Sequence, residues 1–205
     1  MQILHPFAGS IQSYDKELID LDRYRPNHCP QCQAKQPLIG HGFYCRTLVD
    51  AAFDGVIRVR RYLCRPCKRT VSLLPQFALP WLRFSISVIA LFLMARLLQG
   101  LTLIAAAQAA SLTGMPYQRG QFWIRRFQKQ APALSLALAP LATPGRPPDS
   151  APDFGSRVLR LLESIGWIRA HRFLFSQLRV HLLGWPARHA PQGRRTTLPV
   201  ACPAS

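Results

Sequence analysis

The chain has 205 residues and carries 26 Lys and Arg against nine Asp and Glu, a formal charge of +17. So few carboxylates exclude chemistry that needs converging acids, and a field of one sign points to a polyanionic partner. No Asp or Glu stands between Asp54 and Asp149, a stretch with 13 Lys or Arg, whereas residues 1–28 hold four acids and three bases. The basic field therefore begins after the first 28 residues, and an anionic membrane surface is the rival to nucleic acid as its partner.

Residues 1–28 read as an N-terminal cap, with Tyr14, Leu18, Leu21 and Tyr24 at near-helical spacing. Met1 to Phe7 lack the basic and apolar regions of a secretory leader, so a cytoplasmic, nucleoid-associated protein is expected. Next come two Cys-x-x-Cys pairs, Cys29/Cys32 and Cys64/Cys67. A two-residue spacer lets one tight turn present two thiolates to the same ion, and two such knuckles supply the four sulfurs of a tetrahedral zinc site. Four thiolates leave no open position, so one structural Zn²⁺ is expected. Two structural disulfides or a redox dithiol are weaker fits, the first for want of a leader and the second for want of a thioredoxin-like setting. Cys45 and Cys202 read as a small core residue and an incidental thiol. Between the pairs, Ile39–Tyr44 and Val56–Leu63 are rich in branched and aromatic residues and read as strands, with Asp54-Gly55 as the turn signal. The whole of 29–80 is thus predicted to be a zinc ribbon.

Three helices should follow over residues 81–132. The first runs from an N-cap at Ser85 to Leu98, with Gly100 as its stop. The second starts after Thr102 and ends near Leu112 before Gly114, and the third begins at Pro116 and ends before Pro132. Such short connections suit a helix-turn-helix bundle. The apolar run Ile86–Ala95 is only ten residues long, about half of what a membrane span needs. In the third helix Gly120, Trp123, Ile124 and Phe127 should face the core, leaving Gln118, Gln121, Arg125 and Gln128 as the opposite stripe. Gln suits adenine and Arg guanine in the major groove, while Arg119, Arg126 and Lys129 flank the stripe at angles suited to phosphates. On the ribbon, Arg58, Arg60, Arg61, Lys68 and Arg69 are the further candidate DNA contacts. Residues 133–155, rich in proline, read as a linker, 156–185 as two C-terminal helices and 186–205 as a disordered basic tail.

Cys29-Pro30-Gln31-Cys32, then Gly40-His41-Gly42-Phe43-Tyr44, then Ile57-Arg58-Val59-Arg60-Arg61-Tyr62, the second cysteine pair and Arg69-Thr70-Val71-Ser72-Leu73-Leu74-Pro75 resemble the zinc ribbon that opens many bacterial insertion-sequence transposases. They resemble still more a family of short ribbon proteins found near such elements. The resemblance covers about residues 26–130 and implies binding to element DNA through ribbon and helix-turn-helix, beside a transposase or other mobile-element protein. A transposase also needs a carboxylate triad on a folded sheet. Only Asp149, Asp153 and Glu163 follow the ribbon, so no enzyme activity is expected. The fold class expected is α+β: a small zinc ribbon, an all-α helix-turn-helix bundle and a C-terminal helical extension. The function expected is double-stranded DNA binding without catalysis and without a membrane. The alternatives are an RNA-binding ribbon using Phe43, Tyr44 and Tyr62 as stacking surfaces, and a membrane-surface or protein-interaction adaptor using residues 84–115.

Overall fold

The computed structural model describes residues 1–7, 9–17, 23–142 and 153–184. The chain is α+β and its described residues divide into two compact units, one of Met1–Val49 and Phe53–Arg83, the other of Asp50–Ala52 and the described residues between 84 and 184.

The first unit is a mixed sheet of four strands: β1 (Gln2–His5), β2 (Ile39–Asp50), β3 (Phe53–Leu63) and β4 (Thr70–Pro75), in the order β1-β4-β3-β2. β3 runs antiparallel to β4, with Tyr62 opposite Val71, and β1 runs parallel to β4, with Gln2 opposite Ser72. Within the expected N-terminal cap, Gln2–His5 therefore join the sheet as an edge strand. A short helix, α1 (Ile11–Glu17), lies between β1 and the first cysteine pair. The period-two alternation of β3 and β4 sorts their side chains between two clusters. Ile57, Val59 and Leu74 join Leu48, Phe7, Tyr14 and Phe77 in one of them. There the rings of Phe7, Tyr14 and Phe77 meet edge to face at centroid separations of 5.3 to 5.9 Å. Tyr62, Val71 and Leu73 pack with Leu38, Cys29 and Cys64 in the other.

The hairpin between β2 and β3 turns at Ala51-Ala52, not at the expected Asp54-Gly55, which lie inside β3. Register is decided by burial here: a slipped turn would move Ile57 and Val59 off the face where they meet Leu48, a loss that outweighs a favourable turn dipeptide.

The second unit is helical among the described residues. α2 (Ile86–Leu97) is N-capped by Ser85, whose hydroxyl accepts from the Val88 N–H at 3.2 Å and donates to the Asp50 carboxylate. α3 (Leu103–Ala109) is capped the same way by Thr102 but stops three residues earlier than expected, since Ser111 already adopts φ 56°. α4 (Tyr117–Leu138) runs straight through Pro132, against the expectation that the helix stops there. Pro132 lies on the exposed side of α4, where the Gln128 carbonyl that loses its helical donor can be hydrated. Residues 133–138 are therefore helical, followed by a 3₁₀ turn at Ala139–Leu141. The rest of the expected linker, 143–152, and the basic tail lie outside the described residues. α5 (Phe154–Ile165) packs along α4, and α6 (Trp167–Arg172) passes into a π-helical turn, Phe173–Gln177, so that helix ends short of the expected residue 185.

The core of this unit is built on Trp123, 1% exposed, whose indole meets the rings of Phe84 and Phe92 edge-on at 4.8 and 5.3 Å. A β-carbon on Gly120 would stand 2.9 Å from the tip of the buried Phe92 ring, so a side chain at this position would have to displace that ring. Ile124, expected in the core, is only half-buried. The apolar run that raised the membrane alternative is mostly core, with Ile86, Val88, Ile89, Phe92 and Leu93 all buried. Among the described residues no helix is long and apolar enough to cross a membrane.

Candidate metal centre and its basic surroundings

Each cysteine pair is a turn of the same construction. In the first, the Cys29 N–H donates to Ala34 O at 3.0 Å and the Gln33 N–H returns to Cys29 O at 2.8 Å. In the second, the Cys64 N–H donates to Arg69 O at 2.9 Å. The residue after each second cysteine, Gln33 or Lys68, is left-handed, with φ 60° and 54°. That bend turns the backbone around the sulfurs, and the Gln31 N–H comes within 3.4 Å of Cys29 Sγ.

The two turns bring all four Sγ atoms within 4.8 Å of one another. Cys29 Sγ lies 3.8 Å from Cys67 Sγ, and Cys32 Sγ 3.6 Å from Cys64 Sγ. A tetrahedron with metal–sulfur bonds of about 2.3 Å has edges of about 3.8 Å, so the cluster has the dimensions to hold one ion. Its charges call for one. Burial opposes ionisation of Cys29, yet the backbone N–H groups of Cys32 and Gln31 and the neighbouring thiols bring it down to about 7. The Cys67 backbone N–H favours a thiolate at Cys64, but burial and the surrounding thiols push that group up to about 12. Four thiolates this close cannot all ionise without a cation among them.

The cations of the sheet unit fall into distinct environments. Arg58 and Arg60 alternate on β3 and both lie over the Phe43 ring, at 5.3 and 4.9 Å, and Arg60 also stands 5.3 Å from the Tyr62 ring. The side-chain-free Gly40 leaves room for the Arg60 guanidinium, which a β-carbon there would meet. Arg61 is half-buried on the other face and donates to Thr70 Oγ1 at 3.3 Å, while Lys68 and Arg69 are exposed on the second cysteine turn.

On α4, Gln118, Arg119, Arg125, Gln128 and Lys129 are exposed and Gln121 is half-exposed. Arg119 stacks on Phe84 at 5.4 Å. Arg126 departs from the expected flanking role: its Nε donates to Leu183 O at 2.7 Å and its guanidinium lies over Phe122, tying the chain after the π turn to α4. Sequence reasoning passed over Arg160, Arg169, Arg172 and Arg179, which are exposed on and after α5 and α6. The absence of acids between them other than Glu163 was the available signal.

The comparisons with known proteins touch this same region. Residues 29–110 are similar to a domain family described only as a domain of unknown function, DUF6431. The similarity opens on Cys29, takes in both cysteine turns, α2 and α3, and stops before α4. No curated protein and no solved structure matches the chain.

Proposed function

We propose that the chain is a DNA-binding protein in which a zinc ribbon precedes a helix-turn-helix. In this reading Cys29, Cys32, Cys64 and Cys67 hold one structural Zn²⁺ in a reducing cytoplasm, α3 and α4 form the helix pair, and α4 reads duplex DNA. The observation that carries it is the solvent side of α4: Gln118, Arg125, Gln128 and Lys129 stand exposed opposite the buried Trp123, Phe127 and Ala131. Among the described residues of the helical unit, only Asp50, Asp153 and Glu163 oppose the cations. A tetrahedral set of four sulfurs favours zinc over harder ions. The chain would act without catalysis of its own, beside a transposase or another mobile-element protein.

The aromatics that an RNA-binding ribbon would stack on offer it little surface, Tyr44 being half-buried. Tyr62 is 1% exposed, and Phe43 lies beneath two guanidinium groups.

Titration of a labelled duplex between about 50 and 200 mM salt tests the reading. Affinity should fall steeply, and Lys129→Ala should lower the slope by about 0.9, one phosphate contact. Arg125→Ala should relax the sequence selected from a random duplex library while nonspecific affinity persists. Binding that does not respond to salt would refute it.

A further inference from the structure

The helical unit holds a cavity of about 350 Å³ between α3 and the start of α4. α3 leans on α2 more than on α4, and at the cavity it presents the small Ala107. The chain between α3 and α4 then bends twice, at Ser111 with φ 56° and at Gly114 with φ 77°, and a β-carbon on Gly114 would meet nothing within 4 Å. The buried residues of the lining, Ala107, Leu112 and Gly120, make an apolar floor. Leu103 and Met115, half-buried, stand beside Gly120, where a β-carbon would lie 3.4 and 3.3 Å from them and narrow the space. At the mouth Ile104 is 71% and Tyr117 57% exposed, beside the exposed amide of Gln108 and hydroxyl of Thr113. Large apolar side chains left this open at the rim of an apolar cavity mark a place that a ligand covers.

We propose that this cavity binds a small uncharged molecule with an apolar body and one hydrogen-bonding end. The lining decides its charge. The chain carries 26 Lys and Arg, yet none of the described residues around the cavity is charged, so an ion entering it would lose its water and meet no counter-charge. Burial decides the orientation: the apolar body lies on the floor and the polar end stays at the mouth beside Gln108 and Thr113, either of which can donate or accept. The volume decides the size. At about 30 Å³ for each water, the space equals roughly a dozen waters, or an organic molecule of about as many non-hydrogen atoms. Met115 lets the wall adapt, since a flexible thioether fills irregular gaps. Such a site stands apart from DNA binding, because its lining includes none of the side chains proposed to contact the duplex.

The test titrates the full metal-loaded chain with 1-naphthol, an uncharged two-ring molecule with a single hydroxyl, and follows its fluorescence and the heat of binding. Wild type should take up about one molecule per chain, saturably, with a Kd on the order of 10–100 µM. Ala107→Phe, which puts a ring into the cavity, should weaken uptake by about tenfold or more. Ile104→Asp, which sets a charge at the mouth on a side chain too open to matter for folding, should weaken it roughly fivefold. Leu136→Asp, on a residue 79% exposed near the far end of α4, should leave it unchanged. The corresponding naphthoate, the same rings with a carboxylate, should show no binding that Ala107→Phe removes. Want of saturable uptake by wild type, or uptake undiminished in both cavity variants, overturns the proposal. So does an equal loss in Leu136→Asp, which would mean adhesion to any exposed apolar side chain, and so does naphthoate binding that Ala107→Phe abolishes. Should Ala107→Phe melt well below wild type, Ile104→Asp decides, and undiminished uptake by it overturns the proposal. If wild type sediments as a dimer that Ile104→Asp dissociates, a second copy covers the cavity and the small-molecule site falls. Each of these failures leaves the DNA-binding reading standing.

Discussion

The sheet unit divides its apolar side chains between two clusters, one around Phe7, Tyr14 and Ile57 and the other around Leu38, Tyr62 and the cysteines. The helical unit gathers its own around Trp123, Phe84 and Phe92, whose ring reaches the space beside Gly120. Small clusters bury too little surface to offset the entropy of ordering the chain, and two cysteine turns have almost no core of their own. One unit can therefore rest on aromatic packing, whereas the other builds two of its four clustered cysteines into a small core, where a bound ion would add what packing does not.

The contrast is broken most severely by taking the ion away. Chelation, or Cys64→Ser, should unfold the cysteine turns and the cluster around Tyr62, a loss on the order of 10 kcal/mol for a structural zinc, while helical circular dichroism largely persists. Acid should do the same. Metal binding must displace the proton from Cys64, whose thiol is pushed up to about 12, so affinity should fall as pH falls. The fall should steepen below about 7, where Cys29 also becomes protonated. Metal affinity measured across pH with a competing chelator checks both limbs.

Trp123→Ala is the mirror experiment. Loss of the ring between Phe84 and Phe92 should cost roughly 3–5 kcal/mol, melting the helices while the metal content of the protein stays at one equivalent. Gly120→Ala sharpens the point with a single methyl group. Its β-carbon would stand 2.9 Å from Phe92, and roughly 1–3 kcal/mol of overpacking should appear in denaturant midpoints.

The smallest effect should come from Asp153, which caps α5 by accepting from the Ser156 N–H at 2.9 Å and the Ser156 hydroxyl at 2.7 Å. Asp153→Ala should cost about 1 kcal/mol. Those hydrogen bonds hold the carboxyl below its ordinary value, so its contribution is complete above that value and is lost as pH falls through the lowered one. Asp153→Asn keeps a capping oxygen that does not titrate. Thermal melts of the two proteins should therefore converge in stability only at the acid end.

The cysteine cluster and the start of α2 and α3 were legible in the sequence because their determinants are local. Two residues of spacing make a knuckle, and one hydroxyl at Ser85 or Thr102 makes a cap. β1 was not, since four residues become a strand only through a partner near residue 72. The hairpin turn and the passage of α4 through Pro132 were hidden for a related reason. Asp54-Gly55 and Pro132 are strong local signals, overruled by the burial of Ile57 and Val59 in one case and of Leu134 and Leu138 in the other. Trp81 illustrates the reverse limit, as no residue pattern announces a bulky side chain at φ 60°, where a turn ordinarily takes glycine.

The pairing of β1 with β4 also bears on how the molecule is made. The Met1 ammonium donates to Thr70 O at 2.8 Å and the Ser72 N–H to Met1 O at 2.8 Å, joining segments 69 and 71 positions apart. During synthesis β1 emerges long before the strand that receives it, and β4 in turn follows the second cysteine turn directly. The edge of the sheet thus closes late, after the thiols have been gathered, and a nascent chain starved of metal would display an unpaired strand edge to its neighbours, an invitation to aggregate.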